Sequence, residues 1–162
     1  MSPNTKATVV HSESAERVAL SAGSAFHLLV DASGTGGALG ANRLVLAEGA
    51  DGARPHVHKL STEMFSVLDG IAEFLLGDEL ITVGRGGLVV VPPGLPHAFG
   101  AAAGSTADLL VVMTPGIERF GYFRHLGRIA AGTDSFGNLT AEQERYDVHF
   151  TDAEKWQAAR AR

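Results

Sequence analysis

Pro55-His56-Val57-His58-Lys59-Leu60-Ser61-Thr62-Glu63 sets two histidines one residue apart and a glutamate shortly after them. Thirty-four positions beyond Glu63, the run Pro92-Pro93-Gly94-Leu95-Pro96-His97 ends on a third histidine. Alternate residues of a β-strand share a face, so a strand through residues 55–59 aims His56 and His58 the same way. Alone, such a pair is an ordinary feature of strand surfaces. Joined by Glu63 and His97, it offers three imidazoles and one carboxylate to a divalent transition ion, with coordination positions left open for water, dioxygen or a substrate oxygen. Iron, manganese, nickel, cobalt, copper and zinc all accept this donor set.

Around this segment the chain reads as short strands punctuated by glycine and proline. Strands are predicted at 25–30, 38–47, 55–59, 64–68, 71–76, 79–83, 88–91, 97–99 and 109–113. Asp69-Gly70 reads as a hairpin turn, Gly77-Asp78 as a second turn, and 88–91 as a buried strand because it is apolar and β-branched. Many short strands at regular spacing predict a mainly β domain, a sandwich or barrel. Residues 1–23 read as a polar arm and 24–115 as the barrel. From 116 to 162 the pattern turns helical: Ile117, Phe120, Phe123 and Ile129 recur at helical spacing. Thr140 with Gln143 and Thr151 with Glu154 suggest capping boxes for short helices at 141–146 and 152–159, with 132–137 as a linker. Trp156 is expected to anchor the last helix on the sheet or on a second subunit.

With 162 residues, 45% hydrophobic and 19% charged, the chain has the make-up of one globular domain. The net charge of -5 argues against nucleic acid or an anionic membrane as partner. There is no cysteine, hence no disulfide and no thiolate ligand. The first twenty residues lack the apolar run of a signal peptide or membrane span, and a cytoplasmic location is expected.

Two motifs resemble those of the cupin superfamily. His58, four intervening residues, Glu63, six residues and Gly70 form the first; Gly86, five residues, Pro92, Pro93, Gly94, two residues and His97 form the second. Gly87 and Ala101 stand where that family often has an acidic residue and an asparagine; neither is a ligand position. The resemblance implies a cupin-type β-barrel or jelly roll followed by short C-terminal helices, one metal ion on His56, His58, Glu63 and His97, and a homodimer. The tail, Thr114–Phe120 and then Glu144–Phe150, is similar to that of small bacterial cupins related to quercetin dioxygenase.

That second likeness implies a metal-dependent dioxygenase acting on a flavonol-like, phenolic or otherwise enolisable small molecule, with Glu63 as both ligand and general base. Alternation along the strands puts Phe65 and Phe99 beside the ion, with Leu60 and Met113 near the rim, an apolar cup suited to an aromatic substrate. Phe120 and Phe123 are expected on a packing face or lid. An oxygen-free isomerase, cyclase or decarboxylase, and a binding module without catalysis, are the alternatives. His11, His27, His125 and His149 have no partner at ligand spacing and are expected to be solvated or hydrogen-bonded.

Overall fold

The architecture turns on one long bent strand. In the computed structural model, which describes residues 5–162, ten strands form a single curled antiparallel sheet. In chain order they are β1 (Glu16–Ala19), β2 (Ala25–Val30), β3 (Gly40–Leu46), β4 (Asp51–Val57), β5 (Thr62–Leu76), β6 (Glu79–Gly84), β7 (Leu88–Val91), β8 (His97–Ala101), β9 (Ala107–Thr114) and β10 (His149–Phe150). The first half of β5 pairs with β9 and β7, and the second half with β8 and β6. One limb therefore runs β1-β2-β3-β9-β5-β7 and the other β6-β5-β8-β4-β10. The limbs fold over a core that includes Phe26, Leu44, Phe65, Phe74, Val91 and Leu109. The result is a jelly-roll half-barrel.

Asp69-Gly70, expected as a hairpin turn, lies within β5. The register against β9 shifts between Val67 and Asp69, and Gly70 adopts φ +73°. A bulge with a left-handed glycine bends a strand without ending it, which is how β5 passes from one limb to the other. A Cβ at Gly70 would lie 1.9 Å from the Thr106 carbonyl oxygen. Gly70→Ala is therefore expected to destabilise the fold by about 2–4 kcal/mol, read from the shift in urea midpoint.

Other expectations shift in detail. The segment read as a polar arm contains β1, which pairs with β2 through Glu16–Ala19; residues 1–4 lie outside the described part. The strand expected at 88–91 is buried on one face only: Val89 and Val91 point inward while Leu88 and Val90 are exposed. Four helices follow β9: α1 (Phe120–Ala130), α2 (Phe136–Thr140), α3 (Gln143–Tyr146) and α4 (Glu154–Arg160). Helix α2 overlaps the expected linker because Ser135 caps it, accepting from the Asn138 N–H at 3.1 Å. Thr140 closes α2 instead of starting α3. At α4 it is Asp152, not Thr151, that accepts from the Glu154 N–H. Trp156 is buried against Leu75 and Ala98 of the sheet. No helix among the described residues is long and apolar enough to cross a membrane.

Candidate metal centre

His56 sits on β4, His58 just past its end, Glu63 at the start of β5 and His97 at the start of β8. The β4–β8 register pairs His56 directly with His97. All four side chains are buried, and one potential ligand atom from each lies within 4.8 Å of the others. The four residues singled out by spacing are thus brought together.

The imidazoles are held in one orientation by the backbone. Nδ1 of His56 donates to the Arg54 carbonyl at 2.7 Å, Nδ1 of His58 to the Asp147 carbonyl at 2.6 Å, and Nδ1 of His97 to the Leu95 carbonyl at 2.9 Å. A carbonyl oxygen can only accept, so each Nδ1 carries the hydrogen and each Nε2 turns inward as a potential ligand. Nε2 of His56 and His58 are 3.2 Å apart, and Nε2 of His58 is 2.7 Å from Glu63 Oε2. Nε2 of His97, fully buried, has no hydrogen-bond partner among the described residues, with Glu63 Oε1 at 3.6 Å. Inward nitrogens and a carboxylate crowded out of water form a pocket suited to a cation. The donor set fits one divalent transition ion, with Nε2 of three histidines and Glu63 as its ligands.

Electrostatics agree with that reading. Burial presses the Glu63 carboxyl upward, but His58 and His97 outweigh it and hold the group well below the usual carboxylate range. Burial, with His97 and His58 alongside, pushes His56 well below the ordinary imidazole value. Burial also pulls His97 down, yet its contact with Glu63 wins and raises it. A raised His97 keeps its proton to higher pH than a free imidazole, and a metal must displace that proton. Acidification through and below the His97 value is therefore expected to release the ion, with affinity falling about tenfold per pH unit for each competing proton. A titration with a chromophoric chelator from pH 8 to pH 5, values chosen about the ordinary imidazole range, checks this.

Beside the four ligands lies a cavity of about 50 Å³, lined among others by Asn42, Phe99, Met113, Arg119, Tyr122 and Phe123. Phe99 and Met113 are where the sequence placed them. Leu60 is not: its side chain is 61% exposed, because the loop after His58 turns it outward. Phe65 is wholly buried behind the site, packing edge-on against Phe99 and Phe74 and 6.4 Å from His97, so it supports the wall and is no part of the lining. Phe123 lines the cavity from α1, packed on Phe26. Among the other histidines, His125 meets Asp134 at 3.1 Å and His149 meets Asp147 at 3.4 Å.

Spacing gave no hint of Arg119, Tyr122 and Asp147. Asp31, at the end of β2, accepts from the backbone N–H groups of Arg119 and Phe120 and so fixes the start of α1. That places Arg119 and Tyr122 over the cavity. Burial pulls the Arg119 guanidinium below its ordinary value, against the pull of Glu63 and Asp147, and burial raises the Tyr122 hydroxyl. Asp147, at φ 52°, gives its carbonyl to His58 while its carboxylate accepts from the Lys59 and Leu60 N–H groups. The C-terminal tail thereby clasps the loop that carries a ligand.

A sequence profile of the cupin domain matches residues 42–113, which span β4, β5, β8 and all four candidate ligands. The fold is that of the cupins. Among solved structures, the chain is similar to KdgF from Halomonas sp., with 18% identity, a TM-score of 0.58, and coverage of 68% of this chain and 94% of that one. It is similar also to the polyketide cyclase RemF from Streptomyces resistomycificus, with 22% identity, a TM-score of 0.57, and coverage of 68% and 80%. The nucleoside dehydratase Pac13 of Streptomyces gives 16% identity, a TM-score of 0.55, and coverage of 70% and 87%. No curated protein sequence matches the chain. These structural likenesses show a shared fold.

Proposed function

We propose that this protein is a metal-dependent enzyme that removes a proton from a small, enolisable, oxygen-bearing molecule, with Glu63 as metal ligand and base. The observation that carries the proposal is the convergence of three inward Nε2 atoms and the Glu63 carboxylate on one buried point at the foot of a cavity. A bound divalent ion supplies Lewis-acid polarisation of substrate oxygens and lowers the pKa of a hydroxyl or of a C–H beside a carbonyl. His56, His58 and His97, fixed through their Nδ1 hydrogen bonds, hold the ligand field rigid. Glu63 Oε1, 3.6 Å from His97, accepts the proton, and the wall of Phe99, Met113 and Phe123 keeps water from the carbanion or enolate.

Dioxygenation of that enolate is the outcome supported by the tail's likeness to the quercetin-dioxygenase-related cupins. An oxygen-free cyclisation, dehydration, isomerisation or decarboxylation is the second reading, and the cavity favours it. A volume of about 50 Å³ admits only a few non-hydrogen atoms beside the ligands, far fewer than a flavonol has. The activities named for RemF and Pac13, a cyclase and a dehydratase, fit that reading too.

The test is a screen of enolisable acids, ketones and phenols against protein loaded with each first-row divalent ion, in air and under argon. Metal-dependent loss of a substrate, blocked by chelation, is expected. An oxygen-electrode trace assigns the reaction to the first reading, and equal turnover under argon to the second. Ligands that bind tightly and are recovered unchanged by mass spectrometry with every ion would make the protein a binding module and overturn the proposal.

A further inference from the structure

The metal centre does not account for Arg119. Its side chain is 5% exposed, deep among aromatic and aliphatic groups, and it lines the same cavity as His56, His58 and Glu63. A buried guanidinium needs its donors satisfied and its charge matched. Here the compensation is partial. Nε donates to the Tyr146 carbonyl at 2.8 Å, while Nη2 is 3.7 Å from Asp147 Oδ2, beyond hydrogen-bond reach. Nη2 is buried and has no partner among the described residues. Asp147 itself is committed elsewhere, accepting from the Lys59 and Leu60 N–H groups. Of the other nearby anions, Glu63 faces His58 and His97, and Asp31 accepts from the Arg119 and Phe120 backbone N–H groups. The arginine is thus anchored at one edge by the tail and carries an unused donor beside a metal-facing cavity.

We infer that Arg119 binds an oxyanion of the substrate, so that the natural substrate is a small carboxylic acid whose second oxygen function, a hydroxyl or keto group on the neighbouring carbon, reaches the metal. The inference rests on the metal reading above and sharpens its substrate class. A planar guanidinium suits a carboxylate better than a point charge does, since parallel N–H donors match its two oxygens. The cavity volume suits a molecule of this size. A neutral phenol would leave the Nη2 donor unpaired in a dry site, a cost large enough to select against it.

The experiment uses protein loaded with cobalt(II), whose visible bands report ligand entry, and an isosteric probe pair, glycolate and glycolamide. The quantity read is the ratio of their affinities in wild type, Arg119→Gln and Arg119→Lys. This comparison cancels the metal's own contribution to each probe. Wild type is expected to favour glycolate, with the preference falling about tenfold or more in Arg119→Gln, about the loss of one charge-assisted hydrogen bond, and less in Arg119→Lys. An unchanged ratio in Arg119→Gln overturns the inference. Imidazole binding in the same samples stays unchanged if the metal reading holds; failure to take up cobalt at all overturns both readings together. Should Arg119→Gln not fold, ¹⁵N-arginine spectra of zinc-loaded wild type decide: glycolate is expected to shift a slowly exchanging guanidinium resonance that glycolamide leaves in place, and no shift overturns the inference.

Discussion

Asp147→Ala is expected to lower the unfolding free energy by about 3–5 kcal/mol and to weaken metal binding about 10- to 100-fold. The reason is how many groups depend on this one residue. Its carboxylate, 3% exposed, is the anion nearest the Arg119 guanidinium and accepts the backbone N–H groups of Lys59 and Leu60. Removing it takes from a buried cation the anion closest to it, leaving Glu63 and Asp31 to balance the charge from farther away, and strands two backbone donors. Alanine also tolerates the left-handed conformation at φ 52° less well than aspartate. The metal effect arises separately: the Asp147 carbonyl fixes the His58 ring, so slackening the αL turn frees a ligand to rotate. Asp147→Asn keeps an acceptor and a residue at ease with positive φ, and should fall between wild type and alanine. Urea denaturation and metal titration of the three proteins check this. A loss below 1 kcal/mol for alanine would mean the tail merely covers the site.

Glu63→Gln is expected to reduce kcat/KM on the enolisable substrate by about 10²- to 10⁴-fold, the usual contribution of a positioned general base. The amide is isosteric and the three imidazoles remain, so part of the metal affinity survives. Measuring turnover at saturating metal, with bound ion determined in the same samples, separates the lost base from a lost ligand. The charge also matters to the histidines: Glu63 is what raises His97 and draws His58 to 2.7 Å. The pH below which metal affinity starts to fall should accordingly be lower in the variant, since His97 holds its competing proton less firmly. A fall in turnover of less than tenfold with full metal loading would take proton transfer away from Glu63.

How much of this was legible beforehand follows from what fixes each feature. His56, His58, Glu63 and His97 could be found because strand alternation and a proline-glycine turn dictate their direction locally. The double role of Gly70 could not: a left-handed glycine closes a hairpin or bends a continuous strand, and only the pairing of Thr62–Leu76 with neighbours on both sides chooses between them. Leu60 was misplaced because alternation was carried past the end of β4 into a loop, where period two no longer holds. Phe65 does point inward, but into a second layer behind His97. Arg119 and Asp147 lie in the tail segments that carry the second likeness, but their roles could not be read, for a different reason. They are 28 residues apart in the chain, and each gains its meaning only when the tail returns along β4 through His149–Val57 and Phe150–His56.

Metal analysis of purified protein, with X-ray absorption at the edge of whichever ion is found, tests the central claim most directly. One divalent first-row ion per chain is expected, its nearest shell containing three imidazole nitrogens and at least one oxygen, with His58→Ala and His97→Ala each emptying the site. Wild-type protein that takes up no such ion from any first-row salt, or that holds it equally well in both variants, would contradict the account.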